Sequence, residues 1–108
     1  MGVVELPGPL DLEGWLVRVV LLDVSLVDAP AIQLAETRFP APAGVLSSLP
    51  FSLAIGAVPP RARLILSAEV RRDAAAEPQP GDLRNVVSIP WDGVDPRWAW
   101  RIPVAVTQ

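Results

Sequence analysis

Two groups of oxygen-bearing side chains have the spacing to do chemistry. Asp92 and Asp95 could act as the paired carboxyls of a glycosidase-type site, which holds two such groups at a set separation. Asp23, Ser25 and Asp28 could offer oxygen ligands to a Ca²⁺ ion. Each group also has a simpler reading. Asp92 stands before Gly93 and Asp95 before Pro96, which is turn chemistry. Asp28 stands before Ala29 and Pro30 and suits an Asx-type turn, while Asp23 or Ser25 can satisfy loop amides. Two carboxylates without a glycine turn fall short of a cation cage. Asp23, Ser25, Asp28 and Pro30 are therefore read as a structural turn motif, with no metal site. Ser47 and Ser48 have no histidine anywhere in the chain to activate them, so a Ser-His-Asp site is excluded. There is no cysteine either, which removes a thiolate nucleophile and Zn or Fe–S sites built on Cys and His. We expect no catalytic residues, no cofactor and no enzyme activity.

The tryptophans offer a different kind of site. There are four, and no tyrosine. Trp98 and Trp100 lie two apart, on one face of a strand, and Trp91 stands shortly before them. Exposed, these three could form a stacking platform for sugar rings or an anchor for a peptide. Buried, they are core, because the same face continues into Ile102, Val104 and Val106. Trp15 is placed in the core by periodicity.

The elements that must carry these residues are set by proline. Thirteen prolines in 108 residues cut the chain into pieces mostly too short for a globular helix. Proline fixes φ and removes a donor, so it gathers at strand ends, edges and turns. The length fits one domain over residues 1–108 with a single core. No apolar run approaches the roughly 18 residues of a membrane helix. Trp15 to Val27, the longest candidate, is broken by Arg18 and Asp23. The formal net charge of −3 disfavours nucleic acid, whose binders carry a basic stripe. The opening Met1-Gly2-Val3-Val4-Glu5 has neither the basic nor the apolar region of a signal peptide. Two locations stay open: the periplasm or outer membrane if an export segment has been removed, otherwise the cytoplasm.

The alternation of apolar residues predicts strands at Gly2–Leu6, Glu13–Val24, Ile32–Phe39, Phe51–Ile55, Arg61–Arg71, Leu83–Ile89 and Trp98–Val106. Pro7-Gly8-Pro9 should end the first strand, and the stretch from Pro40 to Pro50 should be a loop. Within Ile32–Phe39 two alternative inward faces compete, which a bulge would reconcile. In Arg61–Arg71, Ala62, Leu64, Leu66, Ala68 and Val70 should face the core. About seven short strands with Pro/Gly turns predict an all-β fold, a single antiparallel β-sandwich of immunoglobulin or transthyretin type.

One segment is distinctive beyond its turn chemistry. Leu21-Leu22-Asp23-Val24-Ser25-Leu26-Val27-Asp28-Ala29-Pro30 resembles the opening block of the YscW/YbaY-type lipoprotein family: an apolar strand, Asp-Val-Ser-Leu, a variable residue and Asp-Ala-Pro. Ala35-Glu36-Thr37 and Leu49-Pro50-Phe51-Ser52-Leu53 are similar to its second block. Val58-Pro59-Pro60 with Leu64 to Ala68 is similar to its third, without the opening tyrosine. Pro80-Gly81-Asp82-Leu83 and Ser88-Ile89-Pro90 are similar to its closing block. The resemblance spans about the whole chain. It implies a small non-enzymatic β-sandwich, akin to the pilotin-like chaperones that bind a segment of a secretin subunit and help it reach the outer membrane.

The expected function is a binding or assembly module. Its partner is a protein or peptide segment, a secretin subunit among the candidates, taken up at an apolar groove or a sheet edge beside Trp98–Val106. A homodimer is a further expectation, because one small core cannot easily bury both faces of every apolar strand. The alternative is a small-molecule or carbohydrate-binding β-sandwich using Trp91, Trp98 and Trp100.

Overall fold

The computed structural model describes residues 2–25, 28–54, 63–72, 81–85, 89–91 and 100–106. These residues form nine strands and no helix. In chain order they are β1 (Gly2–Asp11), β2 (Leu16–Asp23), β3 (Ile32–Pro40), β4 (Val45–Phe51), β5 (Leu64–Arg71), β6 (Leu83–Arg84), β7 (Ile89–Trp91), β8 (Trp100–Pro103) and β9 (Ala105–Val106). The smaller sheet has the order β4-β1-β8. The larger has the order β3-β2-β5-β6-β9, with β7 also paired to β5.

The larger sheet follows from side-chain alternation. Val17, Val19 and Leu21 of β2 stand opposite Val70, Ala68 and Leu66 of β5, and opposite Phe39, Thr37 and Ala35 of β3. This face is buried on β2, on β5 and at Ala35, and half-buried at Thr37 and Phe39. Val4, Leu49, Phe51 and Ile102 of the smaller sheet join the same apolar cluster, so side chains from both sheets share one core. Leu64, Leu66, Ala68 and Val70 are buried as their alternation requires, while Ala62 lies outside the described residues. Trp15, just before β2, packs half-buried against the core. The register slips between Leu21 and Leu22, whose partners in β3 are Ala35 and Gln33. Leu34 is the extra residue, and this bulge gives Ala35, Thr37 and Phe39 the inward face.

Several sequence expectations are corrected. β1 does not end at Pro7 but runs to Asp11. Its pairing with β4 stops at Glu5↔Ser48 and resumes at Leu10↔Leu46, so both prolines fall in the interval without ladder partners. Val45–Phe51 is a strand where Pro40–Pro50 reads as a loop, and it ends at Phe51 where the strand Phe51–Ile55 was expected to begin. Residues 52–54 are not strand, and Ile55 lies outside the described residues. Ser47, Ser48 and Pro50 suit an edge, where half the backbone groups face away from the ladder.

Leu83–Ile89 is not continuous: it contributes β6 and the start of β7, with residues 86–88 outside the described residues. Trp91 closes β7. The final strand is split. β8 pairs with β1 in the smaller sheet, and β9 pairs with β6 in the larger. Val104 joins them, buried, with its N–H donating to Glu5 O at 2.9 Å. Crossing between sheets breaks the alternation, so Ile102 and Val104 are buried but Val106 is 52% exposed. The β1–β8 pair is parallel, not antiparallel. These strands come from opposite ends of the chain, so no tight turn imposes antiparallel pairing.

Candidate functional site

The turn motif begins as a clamp between β2 and β5. Ser25 N–H donates to Asp23 Oδ1 at 2.9 Å, and the Ser25 hydroxyl donates to the same oxygen. Ser25 Oγ accepts from Arg63 N–H at 2.8 Å, while Val24 N–H donates to Arg63 O at 2.8 Å. The ladder between β2 and β5 is thereby extended past its last rung, Asp23↔Leu64. The Ser25 hydroxyl, and then its N–H, hold the Asp23 carboxyl below its ordinary value. Asp28 and Pro30 lie on the following turn, both exposed, and the Asp28 side chain has no hydrogen bond among the described residues. No group of three or more His, Cys, Asp or Glu residues gathers as a metal site among the described residues.

The outer face of the larger sheet carries a charged ladder that the sequence reading missed. Arg18 Nε donates to Glu36 Oε2, Arg18 Nη2 to Gln33 Oε1 at 3.1 Å, and Arg18 Nη1 to Glu69 Oε1 at 3.5 Å. Arg38 reaches Glu36 Oε1 at 3.0 Å, and Arg71 reaches Glu69 Oε1 at 3.8 Å. The Arg18 bond lowers the Glu36 carboxyl below its ordinary value, against a smaller upward effect of burial, and Arg38 lowers it further. The guanidinium of the middle strand thus ties three strands together. Its partners lie 15 to 51 residues away in sequence, so no local pattern marks them.

An apolar cavity of about 280 Å³ opens where β1 turns into β2. Leu10, Leu12, Trp15, Leu83 and Val106 supply its apolar walls, with Asp11 and Gly81 beside them. The turn that shapes it has Trp15 N–H donating to Leu12 O at 2.9 Å, with Gly14 at φ 81°. Asp11 Oδ1 accepts from Glu13 N–H at 3.2 Å. The Arg72 guanidinium carbon lies 5.6 Å from the centre of the Trp15 ring, a cation–π contact. Arg72 N–H donates to the buried Asp82 Oδ1 at 3.1 Å, which fixes the chain beside Leu83. The cavity pairs no base with a nucleophile. Its walls are suited to receiving an apolar group. Val106, from the end of the expected Trp98–Val106 strand, lines this cavity; Leu10 and Leu12 carry no such signal in the sequence, because Pro7 and Pro9 hide the continuation of β1.

Trp91 and Trp100 lie in different sheets. Trp91 ends β7 opposite Leu64 in the larger sheet, and Trp100 begins β8 opposite Gly2 in the smaller one. Trp98, Asp92 and Asp95 lie outside the described residues.

No protein-family model matches the chain, and no curated protein matches it. Among solved structures, an alternative pilotin from the type II secretion system of Vibrio cholerae is similar, with a TM-score of 0.68 and 24% sequence identity. The match covers 97% of this chain and 90% of that chain, so this chain shares the fold of that pilotin over nearly its whole length.

Proposed function

We propose that this chain is a non-enzymatic binding module of pilotin type. In this reading its two sheets form a β-sandwich of immunoglobulin or transthyretin type. The module binds a segment of a protein partner, with a secretin subunit as the expected class. The observation that carries the proposal is the near end-to-end likeness to the pilotin structure. Fold alone does not assign function, so the site must supply the rest. The open apolar cavity at Leu10, Leu12, Trp15, Leu83 and Val106 gives an apolar side chain of the partner a place to go. The kinship to YscW/YbaY-type lipoproteins rests on the segment from Leu21 to Pro30. There Asp23 and Ser25 fix the chain as it leaves β2, Asp28 and Pro30 follow on an exposed turn, and none of the four serves as a ligand site.

Calorimetric titration of overlapping peptides spanning a secretin subunit tests the proposal. One peptide should bind saturably at one per chain. Val106→Asp should weaken it by about tenfold or more, because a charge then meets an apolar contact. Failure of every peptide, together with a shift of tryptophan emission by a sugar, would overturn the proposal in favour of carbohydrate binding through Trp91, Trp98 and Trp100.

A further inference from the structure

The strand edges of this molecule are not alike. In the smaller sheet β4 carries Pro50 within its span, and β8 is four residues long and ends on Pro103. In the larger sheet β7 carries Pro90, and β9 is two residues long. Proline and shortness both blunt an edge against pairing with another chain. β3 is the exception among the described strands. It runs for nine residues, and its proline is the last of them, Pro40, opposite Leu16. No described strand pairs with its other side. The bulge at Leu34 interrupts the edge near its start, which leaves Ala35–Phe39 as a regular five-residue ledge.

We propose that this ledge pairs with the same ledge of a second copy of the chain, antiparallel about a twofold axis at Thr37. The residue order makes this register self-complementary. Glu36 then stands opposite Arg38 of the second copy, and Arg38 opposite its Glu36. These charges lie on the outer face; on the inner face Ala35 stands opposite Phe39. Opposite charges across a strand pair stabilise it, and like charges oppose it. Centring the pair on Glu36 or on Arg38 instead sets two like charges against each other. Arg38 is able to serve this contact because its side chain is 58% exposed and, among the described residues, is held only by the 3.0 Å bond to Glu36 on its own strand. The contact continues the larger sheet from one copy into the next. It uses a different surface from the cavity assigned above to the partner, so either assignment can fail without the other. Five residues make a short edge, so the association is weak and weakens further in salt.

Sedimentation equilibrium over a wide dilution series tests this with four samples: wild type, Arg38→Glu, Glu36→Arg, and the two variants mixed. The wild type should form a dimer at high concentration. Arg38→Glu should weaken that dimer by about tenfold or more, since two like-charged pairs then face each other. The mixture should recover it, because every opposed pair is again of opposite sign. Circular dichroism checks that each variant is folded. Glu36→Arg removes a partner of Arg18, so if it fails to fold, Arg38→Glu decides alone. A wild type that stays monomeric at the highest concentration overturns the proposal, also when the edge takes up an extended peptide instead. A dimer unchanged by Arg38→Glu overturns it too, by placing the interface elsewhere.

Discussion

The Ser25 side chain holds two strands in register through one hydroxyl. It donates to Asp23 and accepts from Arg63 N–H, so its removal leaves the amide without that acceptor. Ser25→Ala should cost about 1–2 kcal/mol in chemical denaturation, with the far-UV spectrum unchanged. Asp28 behaves differently, being exposed with no side-chain bond among the described residues. Asp28→Ala should stay within about 0.5 kcal/mol of wild type by the same measurement. Acid dependence follows from Asp23 and Glu36, both lowered in the folded state by their hydrogen bonds. A carboxyl that resists protonation when folded adds stability above its unfolded value and loses it as pH falls through its folded one. The urea midpoint should therefore be flat at neutral pH and decline below the ordinary values of 4.5 for Glu36 and 3.8 for Asp23. Asp23→Asn should make that decline shallower. The local half of this clamp was legible in the sequence, because an Asp two residues before a Ser is a known turn device. Its other half was not, since Arg63 arrives from 38 residues away.

At the scale of elements, legibility followed regularity. β2 and β5 pair over eight rungs, with strict alternation in β5 and an alternation in β2 interrupted by the buried Val20, and their core residues could be read directly. Leu66 stands opposite Leu21 in that pair and is fully buried. Leu66→Ala should cost about 2–5 kcal/mol, seen as a lowered melting midpoint. An unchanged midpoint would contradict the assignment. The smaller sheet was harder to read, for reasons that can be named. β1 continues through Pro7 and Pro9 because its bulge needs no ladder bonds there. β4 is an edge strand whose serines and proline look like a loop. β8 and β9 are one apolar run bent at Val104 into two sheets, so Val106 leaves the face its period assigns and comes to line the cavity. Local composition carries none of these long-range pairings, which tertiary contacts alone decide.

For the whole molecule, the account joins an all-β fold, shared with a type II secretion pilotin, to a surface with two separate features. One is the apolar cavity between the β1–β2 turn and Val106. The other is the β3 edge, whose charges favour a second copy. The composition sets aside histidine- and cysteine-based chemistry. Net charge and length do not mark the cavity, because it is assembled from residues 10–12, 15, 81, 83 and 106. The most direct measurement is amide chemical-shift mapping during titration with peptides spanning a secretin subunit. The account predicts that one peptide binds and that the perturbed amides cluster at Leu10, Leu12, Trp15, Leu83 and Val106. No response to any peptide would contradict it. So would perturbations that leave this cluster untouched.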